Sequence, residues 1–373
     1  MVIEVNMLKI CDLKDCSGCT ACKNICPRNA ISMKENEKGF RYPHVNSESC
    51  INCKLCEKVC PVLNSKENEK KSIIPKAYAA YNNDVEIRMK SSSGGIFSLI
   101  AEEILKRNGI VFGAVLDENL NVVHKKAANI VELEQLRGSK YLQSDLGNTY
   151  REIRDLLNDG TQVLFTGTPC QIAGLKSFLG KEYENLYMQD FICHGVPSKK
   201  LWEKYLSYRE KNGNSKIKKV FFRNKDNKGW SEYQVLLEFE NKKSFFDVTK
   251  DLYMQTFLKD IALRDSCYNC KSKKINRDSD ITVADFWGIS KIAPEMNDEK
   301  GVSLVIINSK KGEEILNNIK SNITLKEVGF FEAISGNRSI IQSAMYPEKR
   351  DEFFQDLETL ELDDLLKKYN ITI

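Results

Sequence analysis

Eight of the thirteen cysteines fall into two copies of one run: Cys16, Cys19, Cys22 and Cys26 followed by Pro27, then Cys50, Cys53, Cys56 and Cys60 followed by Pro61. Three thiolates spaced three residues apart can wrap three corners of a 4Fe-4S cube, while the amides between them point at its sulfurs and offset its negative charge. The proline after the fourth cysteine turns the chain away, and that thiol reaches the other cube. The spacing therefore predicts one cluster on Cys16, Cys19, Cys22 and Cys60, and a second on Cys50, Cys53, Cys56 and Cys26. Such a pair moves single electrons.

The doubled run is that of two-cluster, bacterial-type ferredoxins. A structural zinc site usually takes two separated pairs of ligands, and a disulfide framework belongs to a short secreted chain. Neither description suits this sequence, whose first ten residues include Glu4, Asn6 and Lys9 and form no signal-peptide apolar core. Cys11 lies outside the pattern and reads as a spare, partly buried thiol.

The clusters need a scaffold, and most of the chain must be something else. At 373 residues it exceeds what one core usually holds. Apolar residues make up 42% and charged residues 29%, which suits a packed, soluble protein. No apolar run approaches the ~20 residues that span a bilayer, so direct membrane insertion is not expected. The formal charge of +4 is spread along the chain, and two bound clusters would cancel or reverse it, which leaves no case for nucleic acid. Lysine-rich stretches at 66–71 and 271–274 read as solvated linker and loop.

Residues 1–63 are read as the ferredoxin domain and 64–74, polar and without apolar period, as a linker. Beyond it, strands alternate with helices, which predicts an α/β fold with a mixed sheet. Strands are expected at 77–81, 162–166, 186–191, 220–222, 233–239, 281–284 and 304–307, with a hairpin at 110–115 and 122–126. Helices are expected at 96–107, 171–179, 199–211, 313–319 and, as one piece, 351–368. The α/β region divides into an N-terminal part, 75–160, and a C-terminal part, 161–330, followed by a helical extension, 331–373.

Four further cysteines, Cys170, Cys193, Cys267 and Cys270, sit at loops or element ends of the α/β region. Two singletons after two strands and one later C-x2-C pair could converge on one tetrahedral site, a third metal centre. Rival readings make Cys170 a thiolate activated by a helix N-terminus with His194 as base, or Cys267 and Cys270 a redox dithiol or half a zinc site.

Seven motifs in order carry a resemblance: SSSGG at 91–95, RGSKYLQS at 137–144, GTPCQ at 167–171, CHGVP at 193–197, FR at 222–223 with GW at 229–230, CYNC at 267–270 and DITVADFWG at 280–288. From about residue 75 to 307 the chain resembles the beta subunit of coenzyme F420 hydrogenase/dehydrogenase. The resemblance implies an FAD-binding α/β catalytic domain with its own 4Fe-4S cluster on Cys170, Cys193, Cys267 and Cys270. It also gives flavin roles to Ser92, Ser93, Gly94 and Gly95 ahead of a helix, where backbone amides and the helix dipole suit a pyrophosphate. Lys140 becomes a candidate for tuning the reduced flavin, with Tyr141 and Gln143 against the ring and Gly167, Thr168 and Pro169 giving close backbone approach beside Cys170. Arg223 is a candidate phosphate or anionic-substrate contact and Asp285 a lining residue of the flavin pocket.

The expectation is thus an iron-sulfur flavoprotein oxidoreductase of the cytoplasm. A hydride would pass between FAD and a small-molecule donor or acceptor, with coenzyme F420 as a candidate substrate, and single electrons would run through the clusters to or from a redox partner protein or subunit. Two alternatives stay open: an electron-carrying adaptor without flavin turnover, and a ferredoxin-fed, FAD-dependent reductase of an organic substrate. No acid-base residue is required by the sequence.

Overall fold

The computed structural model describes residues 10–64 and 74–371. The first nine residues and nearly all of the expected linker, 65–73, lie outside the described residues. Each cysteine run carries a short helix, Ala21–Ile25 in the first and Leu55–Lys58 in the second, and between them lies an antiparallel hairpin of β1 (Ile31–Glu35) and β2 (Arg41–Val45). Both helices are entered through a residue in the left-handed region, Thr20 at φ 63° and Lys54 at φ 58°. Each follows the second cysteine of its run, and a non-glycine residue held there is backbone strain of the kind that collects at ligand sites.

After residue 74 come β3 (Lys76–Asn82), β4 (Ile110–Leu116), β5 (Val122–Ala127), β6 (Val163–Thr166), β7 (Leu186–Asp190), β8 (Ile217–Asn224), β9 (Gln234–Phe239), β10 (Lys243–Asp247), β11 (Ile281–Asp285), β12 (Ser303–Ile307) and β13 (Ile323–Val328). Eight of these form a mixed sheet in the order β13-β3-β12-β11-β7-β6-β4-β5, parallel from β11 to β4 and antiparallel at both flanks. Strands from both sides of residue 160 share it. Neighbouring residues of the central strands serve opposite faces. Val111, Leu164 and Tyr187 pack with helix Ile96–Lys106, while Phe112, Phe165 and Met188 pack with helix Pro169–Leu179. With helices on both faces, β7 and β12 are buried throughout, the uniform apolar pattern of strands inside a sandwich.

A second sheet, β10-β9-β8, packs with helix Lys199–Gly213 and the C-terminal helices around Trp202, Tyr205, Tyr253 and Phe353. The single helix expected over 351–368 is two, Arg350–Thr359 and Leu362–Lys368. Leu360 and Glu361 are extended between them, because Phe353, Phe354, Leu357 and Leu360 on one side and Leu362, Leu365 and Leu366 on the other would fall on different faces of one continuous helix. The ferredoxin hairpin, β10, β13 and the helices Ile130–Leu136 and Thr149–Asn158 are further elements that the sequence reading did not contain. Among the described residues no helix is long and apolar enough to cross a membrane.

Candidate iron-sulfur centres

The two ferredoxin sites are open-mouthed cavities walled by cysteines from both runs. One is lined by Cys16, Cys19, Cys22 and Cys60, beside Cys11, Ile10, Met33 and Pro43. The other is lined by Cys50, Cys53, Cys56 and Cys26, beside Ile31, Val45 and Ile51. The fold therefore exchanges the fourth cysteine of each run, the arrangement the spacing predicts. All thirteen cysteines are free thiols. Among the described residues no three His, Cys, Asp or Glu side chains converge on a single ion. The thiols stand around a space, and a cube held by its corners fits such a space.

Cys11 is not spare in position. Its thiol lies beside those of Cys16 and Cys60, and hydrogen bonding with it is the main influence holding both of those below their ordinary pKa. Burial instead pushes Cys19 up to about 12 and Cys22 well above its usual range. Loading iron thus displaces protons from the latter two.

Cys170, Cys193, Cys267 and Cys270 also face one another. Burial is the main cause raising Cys170 to about 11, Cys267 to about 12 and Cys193 well above its usual range; in each case the neighbouring thiols of the quartet add to it. Four half-buried thiols that would repel one another as thiolates are a donor set that a cationic metal centre would satisfy. Cys170 lies in the first turn of helix Pro169–Leu179, where Thr168 caps the helix reciprocally with Gln171 and its hydroxyl lies 3.1 Å from the Cys170 thiol. Cys193 follows β7, and Cys267 and Cys270 bracket a 3-10 turn, Asp265–Asn269. His194 does not serve Cys170 as a base: its Nε2 pairs with Asp260 at 2.5 Å and its ring meets Phe257 edge-on at 4.9 Å.

The quartet lies against the first ferredoxin cavity. Gly174, one turn beyond Cys170 on the same helix, has no side chain, and a Cβ there would stand 2.9 Å from Cys19 Cβ and 3.0 Å from Cys19 Sγ. Charged and amide groups of the α/β domain hold the ferredoxin loops by their carbonyls. Arg264 donates to the Cys16 carbonyl at 2.7 Å, Gln143 to that of Ser17 at 2.9 Å, and Arg151 to those of Asn24 at 2.5 Å and Cys26 at 2.7 Å. Arg41 pairs with Asp145 across the same boundary. None of Arg264, Arg151, Asp145 or Gly174 was singled out as a site residue in the sequence. Only Arg264 carried a local signal, its place three residues before Cys267.

The remaining motifs gather at one edge of the sheet, where β3, β7 and β11 end. Ser92 accepts from the Ser139 amide and hydroxyl, Ser93 donates to the Val302 carbonyl, and the Gly94 amide donates to Ser303. Gly94 packs too closely for a side chain, since a Cβ would lie 2.5 Å from the Ala80 carbonyl oxygen; Gly95, at φ 80°, caps helix Ile96–Lys106. Lys140 donates to the carbonyls of Gln135, Leu136 and Arg137 at the end of their helix, and burial lowers its pKa to about 7. Gln143 is engaged with Ser17 and Arg264. Gly167 lies between β6 and the Thr168 cap, beside Pro169 and the quartet.

Arg223 and Asp285 form a bidentate pair at 2.7 and 3.1 Å, while Arg223 Nε is buried without a partner. Tyr233 lies over the Arg223 guanidinium at 3.8 Å, and Trp230 donates to Asp285 and stacks on Trp287 at 5.0 Å. Tyr141 packs on Phe222 and on Phe257, the ring that His194 also meets, so an aromatic file leads from this edge toward Cys193.

Comparison with known proteins agrees with this geometry. Residues 160–329 match the family described as the C terminus of the beta subunit of coenzyme F420 hydrogenase/dehydrogenase, and residues 15–64 match the 4Fe-4S dicluster domain. Its N-terminal segment is thus similar to 4Fe-4S dicluster domains and residues 160–329 to the C-terminal domain of that beta-subunit family. Over 342 residues it is 26% identical to the coenzyme F420-dependent sulfite reductase of Methanocaldococcus jannaschii, which takes in 87% of this chain and 49% of that protein. It thus spans about half the length of that relative. Its dicluster domain is 36% identical over 55 residues to ketoisovalerate oxidoreductase subunit VorC of Methanothermobacter marburgensis, 14% of this chain and 70% of that one. A chain of the F420-reducing NiFe hydrogenase complex from Methanosarcina barkeri superposes with a TM-score of 0.44 at 17% identity, covering 79% of this chain and 90% of that one.

Proposed function

We propose that this protein is an FAD-dependent, three-cluster oxidoreductase that exchanges a hydride with a deazaflavin of the coenzyme F420 type and single electrons with a protein partner. The observation that carries the reading is the succession of cysteine groups: the half-buried quartet, the first ferredoxin cavity in contact with the quartet's helix through Cys19 and Gly174, and the second cavity beyond. Cys53 and Ile51 at that second cavity are exposed, which suits it as the port to a partner protein or subunit.

The sheet edge around Arg223, Tyr233, Trp230 and Trp287 is the place for the flavin. Ligands of open α/β sheets bind at the carboxyl ends of the parallel strands, and β11 delivers Asp285 there. Arg223 Nε is left for an acceptor, while Ser93, Gly94, Lys140 and Gln143 spend their donors on the chain itself. In this reading Arg223 and the aromatic rings hold the flavin, and the serines and glycines shape the loop that it meets. A bound flavin accepts hydride as a two-electron unit and releases electrons singly. Cys170, Cys193 and Cys267 are half-buried, and the aromatic file of Tyr141, Phe257 and His194 leads toward them from the sheet edge. Thiolate ligation of this density belongs in a reducing compartment, and we place the protein in the cytoplasm.

Anaerobic loading followed by iron, sulfide and flavin analysis tests the reading. About twelve irons and one FAD per chain, with the flavin bleached by reduced coenzyme F420 and not by NADH, is the expected result. About eight irons and no flavin would leave the electron-carrying adaptor in its place.

A further inference from the structure

Arg264 is a fully buried guanidinium that belongs to neither cysteine set yet lies between two of them. It donates to the Cys16 carbonyl at 2.7 Å, to Gln143 Oε1 at 3.0 Å and to the Arg41 carbonyl at 3.0 Å, with the Tyr42 ring 4.2 Å away. Its guanidinium carbon stands 3.1 Å from where a Cβ on Gly18 would be, against the loop that joins Cys16 to Cys19. On the other side its own carbonyl accepts from the Cys267 amide at 2.9 Å.

All three hydrogen-bond partners of this guanidinium are neutral, and among the described residues no carboxylate lies within ion-pairing distance of it. The other large buried arginines differ: Arg350 has Asp265, Arg223 has Asp285 and Arg88 has Asp298. A buried cation without a counter-charge is costly, so something negative must stand close by when the protein is loaded. Each thiolate-ligated cluster carries net negative charge that grows on reduction. The positive charge of Arg264 is also felt at Cys16 on one side and at Cys170 and Cys267 on the other.

We propose that Arg264 is a shared positioning cation that raises the reduction potentials of two clusters at once, the one on Cys16, Cys19, Cys22 and Cys60 and the one on Cys170, Cys193, Cys267 and Cys270, and leaves the third untouched. The inference rests on the reading that the quartet holds a cluster. The more negative, reduced state of each cluster is the one a nearby cation favours, so both centres become easier to reduce and are kept close in potential. Electrons then cross between domains without a large step in either direction.

The test is a redox titration of the anaerobically loaded protein followed by electron paramagnetic resonance, with wild type, Arg264→Gln and Arg264→Lys. Gln keeps a donor and removes the charge. At a fixed potential the reduced-to-oxidised ratio should fall on the order of tenfold for two of the three clusters, about 59 mV each, and stay put for the cluster on Cys26, Cys50, Cys53 and Cys56. Lys restores the charge without the fork and should bring both ratios back to within about threefold of wild type. Full iron with no shift in Arg264→Gln, or an equal shift in all three clusters, overturns the proposal. Should Arg264→Gln fail to load, Arg264→Lys decides alone: ratios near wild type support a role for charge, and a tenfold fall refutes it. Failure of the underlying reading looks different, as about eight irons per chain in the wild type.

Discussion

Gly174→Ala is the sharpest probe of how the two domains meet. In a helix interior, replacing glycine by alanine normally stabilises by about 0.8–1 kcal/mol, through lower backbone entropy in the unfolded chain. Here the new methyl would lie 2.9 Å from Cys19 Cβ, 3.0 Å from Cys19 Sγ and 3.0 Å from Tyr150 Oη. Neither neighbour yields easily. Tyr150 is buried and donates to the Gln171 carbonyl at 2.7 Å, and Cys19, once ligated, cannot change rotamer without leaving the cluster. Overpacking of this kind costs about 1–3 kcal/mol. The contact therefore reverses the usual sign, and a net loss of up to about 2 kcal/mol is expected. The readouts are anaerobic thermal unfolding and iron per chain, with the exposed Lys176→Ala on the same helix as a control that should stay within about 0.5 kcal/mol. A Gly174→Ala protein that is stabilised by about 1 kcal/mol with full iron would refute the Cys19 contact.

Other outcomes follow from neighbouring features. Removing Cys193, as Cys193→Ser, should lower iron by about four per chain while the magnetic signals of the two ferredoxin clusters persist. Arg151→Ala strips hydrogen bonds from the carbonyls of Lys23, Asn24 and Cys26 and from the Asn29 side chain, and should cost about 1–3 kcal/mol and speed chelator removal of iron from the cluster that uses Cys26. Asp285→Ala leaves Arg223 buried without its carboxylate, an expected loss of about 3–5 kcal/mol by denaturant titration, together with lost flavin retention if the sheet edge is the flavin site. Because Cys170, Cys193 and Cys267 are raised mainly by burial, loading of the quartet should weaken as pH falls, by about tenfold per pH unit for each proton displaced, which titrations of apo-protein with iron and sulfide would show.

The ferredoxin sites were legible in the sequence because their ligand spacing is local: three cysteines within seven residues define a corner, and Pro27 or Pro61 sends the fourth across. The quartet was not legible in that way. Cys170 and Cys270 are a hundred residues apart, and spacing alone left zinc, dithiol and nucleophile readings open beside that of a cluster. The buried strands of the sheet centre were readable as continuous apolar runs. β13 was missed, although Ile323 and Leu325 alternate with polar residues, since an edge strand shows only half a pattern and Lys326 and Glu327 mask it. The docking residues were the least visible of all. Arg151 and Arg264 look like any helix or loop arginine until the carbonyls that they bind come from a distant segment.

Those carbonyls explain why docking bears on redox chemistry as well as stability. Cys16, Ser17, Asn24 and Cys26 are ligands or neighbours of ligands, and the groups that hold their backbone are Arg264, Gln143 and Arg151 of the α/β domain. A cluster's potential responds to the dipoles and charges around its sulfurs, so whatever fixes those loops also fixes the potential. The boundary is tied further by Arg41 and Asp145. Burial opposes ionisation of Asp145, but the Gly147 amide and Arg41 outweigh it and hold the carboxyl below its ordinary pKa. A carboxylate with a depressed pKa contributes stability that is complete above its unfolded value, about 3.9, and is lost as pH falls through the lower folded value. Asp145→Asn should therefore flatten the acid limb of the stability curve, measured by thermal unfolding from about pH 6 down to about pH 3, and leave the neutral limb parallel to wild type. If the wild type and Asp145→Asn lose stability in parallel below about pH 4, Asp145 does not carry the acid sensitivity of the docked state.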